Sequence, residues 1–272
     1  MVRALWTAAS GMTAQQTNVD VIANNLANVN TVGFKSESAQ FKTLLYQTIQ
    51  NKTTSANGET KPVGAQVGLG TRTASITSSF EQGALNITQS NTDFAIDGKG
   101  FFAVQNETGE IRYTRNGSFN WSLSSDGGVV LSNSDGLPVV DTTGAPIVLG
   151  SEYDTANITV DTDGNICYPD ETNNPAKIGI QIGIVQFSNP VGLEKVSGSL
   201  FKETEASGVP IYEADSDTLP KSTIRQSALE ASNASVVDEM VNLIVAQRAY
   251  EMNSKAIQTA DDMMAQANQL KR

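Results

Sequence analysis

Residues 235–272 read SVVDEMVNLIVAQRAYEMNSKAIQTADDMMAQANQLKR, and the spacing of their apolar members sets the fold class of this chain end. Val236, Met240, Leu243, Tyr250, Ile257 and Met264 recur at steps built from threes and fours, with Gln247, Ser254 and Asp261 completing the series. A period near 3.6 places all nine on one side of an α-helix. Ser235 stands where an N-cap side chain accepts a backbone N–H. Asp238 and Glu239 fall in the first turn and Lys271 and Arg272 at the last, each sign matching the helix dipole.

The opposite chain end repeats the design. Leu5, Ala9, Met12, Gln16, Val19, Ile22, Leu26 and Val29 advance by steps of four and three, predicting a helical rod of roughly 37 Å at 1.5 Å per residue. Asn24, Asn25, Asn28 and Asn30 weaken its end, and Gly33 is the expected stop. Neither seam is a pure leucine zipper. Gln16, Gln247, Ser254 and Asp261 interrupt them, and polar seam positions set register and partner at a cost in stability. An ordinary amphipathic helix packed on its own domain has the same period, so periodicity leaves both arrangements open.

Between the ends the helical period disappears. Residues 71–230 read as short strands, for example 101–104, 128–131, 158–160 and 178–187. Asn116-Gly117, Asp126-Gly127-Gly128, Asp135-Gly136 and Asp163-Gly164 punctuate them as turns. Residues 47–70, rich in Thr, Gly, Asn and Ser and holding Pro62, read as an extended connector. The expected fold is α+β. Paired N- and C-terminal helices, 1–33 and 231–272, form a coiled-coil-like core domain; an extended connector spans 34–70 and a mainly β outer domain 71–230.

Composition removes most chemistry. With no histidine and one cysteine, Cys167, the chain cannot build a Ser-His-Asp or Cys-His site, a His-ligated metal centre, a cysteine-rich zinc site or an internal disulfide. A net charge of −11 has the wrong sign for a phosphate backbone, so nucleic acid is not an expected partner. No apolar run approaches the ~20 residues of a membrane span, and residues 1–11 lack the apolar stretch of a cleaved secretory signal.

The local motifs fare no better. Asp161-Thr162-Asp163-Gly164-Asn165 opens like a calcium loop, but Ile166 stands where that loop requires Gly and Thr172 where it requires Glu, so it reads as a hairpin turn. Ser199 and Lys202 have the spacing of a serine–lysine pair but lie in a strand-like stretch, where no helical turn brings them together. Gly98-Lys99-Gly100 lacks the third glycine of a dinucleotide fingerprint. No catalytic, cofactor-binding or metal-binding residue is assigned. A glycan hydrolase working through two carboxylates stays as the enzymatic alternative, weakened by an aromatic content of 6%.

Charge is unevenly placed. Residues 1–70 carry five bases and three acids, residues 71–230 nine and twenty-one, residues 231–272 four and five. The stretch 116–176 has nine acids and no Lys or Arg. Asp126, Asp135, Asp141, Asp161 and Asp163 there form either a solvated face or a wall attracted to a basic partner.

The run Ala23-Asn24-Asn25-Leu26-Ala27-Asn28-Val29-Asn30-Thr31-Val32-Gly33-Phe34-Lys35 closely resembles the N-terminal signature of the bacterial flagellar rod and hook axial proteins. Asp97-Gly98-Lys99-Gly100-Phe101-Phe102 resembles the family's central strand-turn motif. Leu229-Glu230-Ala231-Ser232-Asn233, continuing through Gln247-Arg248-Ala249-Tyr250-Glu251, resembles its C-terminal helix. Length, Leu5-Trp6 and Leu45-Tyr46-Gln47-Thr48-Ile49 look most like a member from the outer part of the rod, with the other rod member of similar length as runner-up.

The resemblance implies a non-enzymatic subunit without cofactor, exported unfolded through the flagellar type III apparatus without signal cleavage. It would polymerise with itself into the tubular shaft that crosses the periplasm inside the ring proteins, with proximal rod and hook proteins at its two ends. Terminal helices would line the tube and the β domain its outer wall. Residues 47–64 look like a stretch that separates rod from hook members.

Overall fold

Both chain ends are helical in the computed structural model, which describes residues 2–50, 65–123, 127–150, 152–170, 174–216 and 219–270. Helix α1 spans Val2–Ala27 and helix α2 Val236–Gln269, and among the described residues the regular structure between them is β apart from two short 3-10 turns. The architecture is α+β, with a mainly β middle. The chain divides into two units. One, the helical unit, comprises Met1–Ala27, Glu37–Ser78 and Ser235–Arg272; the other, the β unit, comprises Asn28–Ser36 and Ser79–Ala234.

In the helical unit, α1 stops at Ala27, six residues short of Gly33, because asparagine side chains draw the backbone out of the helix. The buried Asn25 amide donates to the Glu37 carbonyl at 2.8 Å and accepts from the Glu37 N–H at 2.8 Å, pulling the following strand onto the helix end. Ser235 caps α2 as expected, its hydroxyl accepting from the Asp238 N–H. The charges read as closing that helix, on Lys271 and Arg272, lie outside the described residues.

The described residues of the stretch read as an extended connector form antiparallel strand pairs. Strand β1 (Glu37–Thr43) pairs with β4 (Thr71–Ser78), and β2 (Tyr46–Gln50) with β3 (Ala65–Gly68). The bonds Leu44 N–H to Gly70 and Leu69 N–H to Leu45 bridge the two pairs. A polar Thr- and Ser-rich strand carries no apolar alternation, which is why it reads as loop. Residues 51–64, the rest of the stretch likened to a rod-specific segment, lie outside the described residues.

The β unit is organised around Phe101–Gln105. Antiparallel pairing builds a six-stranded sheet in the order Glu194–Val196, Leu200–Lys202, Ile111–Thr114, Phe101–Gln105, Ile184–Gln186, Ile211–Tyr212. The period of two sends Phe102 and Val104 into one core with Phe94, Phe119, Leu131 and Ile182, and Phe101 and Ala103 into a second with Tyr113, Val185 and Phe201. Both faces of this strand are therefore covered, and all four residues are at most 1% exposed. The segment 178–187, read as one strand, is two. Pro175–Gln181 and Ile184–Gln186 belong to different sheets, because Ile182 and Gly183 turn aside to donate to the carbonyls of Gly164 and Val140. Asp161–Asn165 is a hairpin turn closed by the Gly164 N–H on the Asp161 carbonyl, and Lys202 lies in a strand beside Ser199.

Candidate assembly interface

A helix buries the side chains that face its neighbours and exposes the rest, so burial along α1 and α2 shows which faces the subunit itself covers. On α2 the covered line runs through Glu239, Leu243, Ala246, Asn253, Ile257, Ala260 and Met264, with Ala246 and Ala260 fully buried. On α1 one line runs through Ala8, Gly11, Gln15, Asn18, Ile22 and Asn25, and Ala14 and Val21 are buried beside it. Small residues let the helices approach. A Cβ built on Gly11 would lie 3.0 Å from the Asn253 amide of α2, and Asn25 also donates to the Glu239 carboxylate at 2.8 Å. At 100° per residue, a line displaced by one position is a different face. Of the α1 seam read from spacing, only Ile22 is fully buried; Leu5, Met12, Val19 and Leu26 are half-buried at its flank, and Ala9 and Gln16 are exposed. Of the α2 seam, Leu243, Ile257 and Met264 are half-buried, while Val236, Met240 and Tyr250 are exposed.

The opposite side of α2 is apolar as well. Val237 at 71% exposure, Val241 and Ile244 lie on the face turned away from Ala246 and Ala260, with the exposed Val245 and Met252 at its flank. Leu45, Tyr46 and Ile49 of the ladder and Trp6 of α1 are likewise exposed. Gln247 and Arg248 are exposed, Arg248 pairing with Glu251 at 3.1 Å. Apolar side chains in contiguous display mark a surface made to be covered.

The remaining motif residues lie where the chain passes from one unit to the other. Asn24 donates to the Glu37 carboxylate, and Asn28 accepts from the Thr31 hydroxyl at 3.0 Å within the turn that follows α1. Gly33 has φ +68°, and a Cβ there would stand 2.6 Å from the Arg115 carbonyl carbon, so only glycine fits. Phe34 is half-buried with the Lys195 ammonium 5.3 Å from its ring centre.

Beside these, in the β unit, is a buried ion cluster. Lys35 donates to the Glu230 carboxylate at 2.6 Å and to the Glu81 carbonyl at 2.7 Å, and Arg115 reaches Glu230 at 3.2 Å and the Gly98 carbonyl at 2.7 Å. The three charged side chains are at most 2% exposed. Burial pushes the Lys35 ammonium below its ordinary range, with the Glu230 carboxylate opposing that shift. Arg115 also lies over the Phe101 ring.

In the central motif, Gly98 takes φ +146° with the Ser222 side chain against it, and Asp97 pairs with Arg225 at 2.8 Å. Lys35, Arg115, Glu230 and Asn233 are the residues that spacing did not single out. For the first three the signal was charge retained inside apolar, glycine-rich surroundings.

The acidic stretch has a local role. The Asp141 carboxylate accepts from the N–H groups of Thr143 and Ala145, Asp154 from Ala156, and Asp161 from Thr162. These carboxylates close turns, which accounts for much of the aspartate there. Asp135 is exposed, and Asp126 lies outside the described residues.

Comparison with known proteins agrees along the chain. Residues 5–35 match the flagella basal body rod protein family model, 95–168 the flagellar hook protein FlgE/F/G D1 domain, and 225–270 the flagellar basal body rod FlgEFG protein C-terminal region. Among curated relatives, the flagellar basal-body rod protein FlgG of Borreliella burgdorferi is 47% identical across the whole of both chains. That of Caulobacter vibrioides is 41% identical over 99% of this chain and all of its own length, and that of Bacillus subtilis 36% over all of both. With three family models in register and full-length relatives above one third identity, the chain belongs to the flagellar basal-body rod protein family.

Proposed function

We propose that the chain is a non-enzymatic structural subunit of the distal flagellar rod, the shaft that carries motor torque to the hook. The observation that carries this reading is the second apolar face of α2, Val237, Val241 and Ile244 with Val245 and Met252 at its flank, each more than half exposed among the described residues. Full-length similarity to FlgG proteins supports the rod over the hook. Each helix then serves two contacts. One face packs within the subunit, in a coiled-coil-like pair flanked by Leu5, Met12, Val19, Leu26, Leu243, Ile257 and Met264. The other, with Val236, Met240 and Tyr250 at its edge, meets further copies. Such contacts are head-to-tail, and a head-to-tail contact whose rotation does not close generates a helical filament.

Further copies of the chain are the main partner, with proximal rod and hook proteins at the two ends, ring proteins around the shaft and the export apparatus delivering subunits. The setting is the basal body within the periplasm, reached without signal cleavage. Among the described residues no helix is long and apolar enough to cross a membrane. Electron microscopy and sedimentation of purified chain over a concentration series test the reading. Tubes are expected above a threshold concentration. A monomer at every concentration that cleaves or retains glycan would overturn it.

A further inference from the structure

The chain passes between the helical unit and the β unit four times, after Ala27, before Glu37, after Ser78 and before Ser235. The segments of the β unit that lead to these passages are 28–36, the stretch beginning at Ser79, and the stretch ending at Ala234. Two side chains three residues apart tie all of them together. The Glu230 carboxylate accepts from Lys35 at 2.6 Å and from the Gly83 N–H at 2.9 Å, and its backbone carbonyl accepts from Gly33 at 2.8 Å. The Asn233 side chain accepts from the Ser36 N–H at 2.7 Å and donates to the Ser79 carbonyl at 2.9 Å. Ser79 in turn donates its N–H to the Ser36 carbonyl at 2.8 Å. Arg115, from a strand end of the β unit, supplies the second cation on Glu230 and so joins the knot to the double core around Phe101.

We infer that Glu230 and Asn233 are anchoring residues, forming one knot through which every passage of the chain out of the β unit is fastened. The segments 28–36 and 228–234 stay folded with the β unit whether or not the terminal helices are ordered. A subunit joining a polymer therefore has to order helices from fixed starting points rather than from loose tails. Breaking a buried ion pair by removing one partner leaves the other charges uncompensated, so loss of the Glu230 carboxylate loosens the knot more widely than loss of the Asn233 amide. Its consequence for the rod rests on the rod-subunit reading. The anchoring itself does not, because it is a property of the isolated chain.

Hydrogen exchange on the full-length chain, resolved to segments, tests the anchoring. In the native sequence the amides of Gly33, Ser36, Ser79 and Gly83 should be protected comparably with Phe101–Gln105. Glu230→Gln should speed their exchange by roughly ten- to a hundredfold while that strand keeps its protection. Where Glu230→Gln unfolds the whole β unit, Asn233→Ala decides. This side chain is half-buried and uncharged, and its loss should release Ser36 and Ser79 alone. Segment 28–36 exchanging as fast as α1 in the native sequence would overturn the inference, as would unchanged Ser36 and Ser79 protection in Asn233→Ala. A native chain that shows the protected knot but forms no tubes would count against the rod reading and leave the anchoring standing.

Discussion

Phe102 and Leu45 are both large and apolar, yet one is fully buried and the other 82% exposed. The contrast holds for their units. In the β unit, alternating residues of one strand fill two cores and aromatic rings meet edge to face, as Phe102 does with Phe119 at 5.2 Å. In the helical unit, the fully buried apolar side chains among the described residues are Ala8, Ala14, Val21, Ile22, Ala246 and Ala260, mostly the smallest available. Burial of alanine contributes little, while ordering each residue costs about 1 to 2 kcal/mol of backbone entropy. The β unit holds the large buried side chains, and under the proposed rod reading neighbours complete the helical unit.

Substitutions that separate the units put this difference to the test, and the largest effect belongs to the core. Phe102→Ala should destabilise the β unit by about 3 to 5 kcal/mol, read by urea unfolding through Trp121, which packs against the same cluster. A loss no greater than that of a surface change would mean the two-core description is wrong. Gly33→Ala comes next. With φ at +68° and the Arg115 backbone in the way, it should cost roughly 1 to 3 kcal/mol in the same transition.

A smaller effect is expected from Tyr113 at alkaline pH. Burial, with the Glu203 carboxylate adding to it, holds this phenol well above its ordinary value of 10.0. Above about pH 10 the unfolded chain therefore loses a proton that the folded chain keeps. Stability from this group is complete below that pH and lost as pH rises through the folded value. Tyr113→Phe should flatten the alkaline fall in stability, at a cost of about 1 kcal/mol at neutral pH. An equally steep fall in the variant would assign the titration elsewhere. Smallest for the isolated chain is Ile244→Asp, within about 0.5 kcal/mol in urea because the site is 55% exposed. The same variant should abolish tube formation, and normal tubes would remove the outer face of α2 from the interface.

The two units also differed in how much their sequences disclosed. Helices α1 and α2 were legible because a 3.6-residue period survives in any environment, and Ser235 announced the start of α2. The covered face of α1 was legible only in part, because Ala8 and Gly11 are small and the half-buried Gln15 and Asn18 polar, so that side carries little apolar signal beyond Ile22. The ladder of β1 to β4 hid because its strands are rich in Thr, Ser and Gln and show no apolar alternation. In the β unit, glycine turns and apolar runs gave the class. The break at Ile182 and Gly183 depends on carbonyls from Gly164 and Val140, which no local reading supplies. Glu230 and Arg115 are distant in sequence, so their pairing is a property of the fold, although Glu230 and Asn233 stood within a stretch that already resembled a family signature.

Limited proteolysis with mass mapping, before and after assembly, tests the division of labour most directly. In the unassembled chain, cuts should fall within 2–27, 37–50, 65–78 and 236–269 before they reach the β unit, leaving it with segments 28–36 and 228–234 retained on it. In tubes the same helices should resist as long as Phe101–Gln105 does. Helices that resist protease equally in the unassembled chain would contradict the claim that neighbours complete the helical unit.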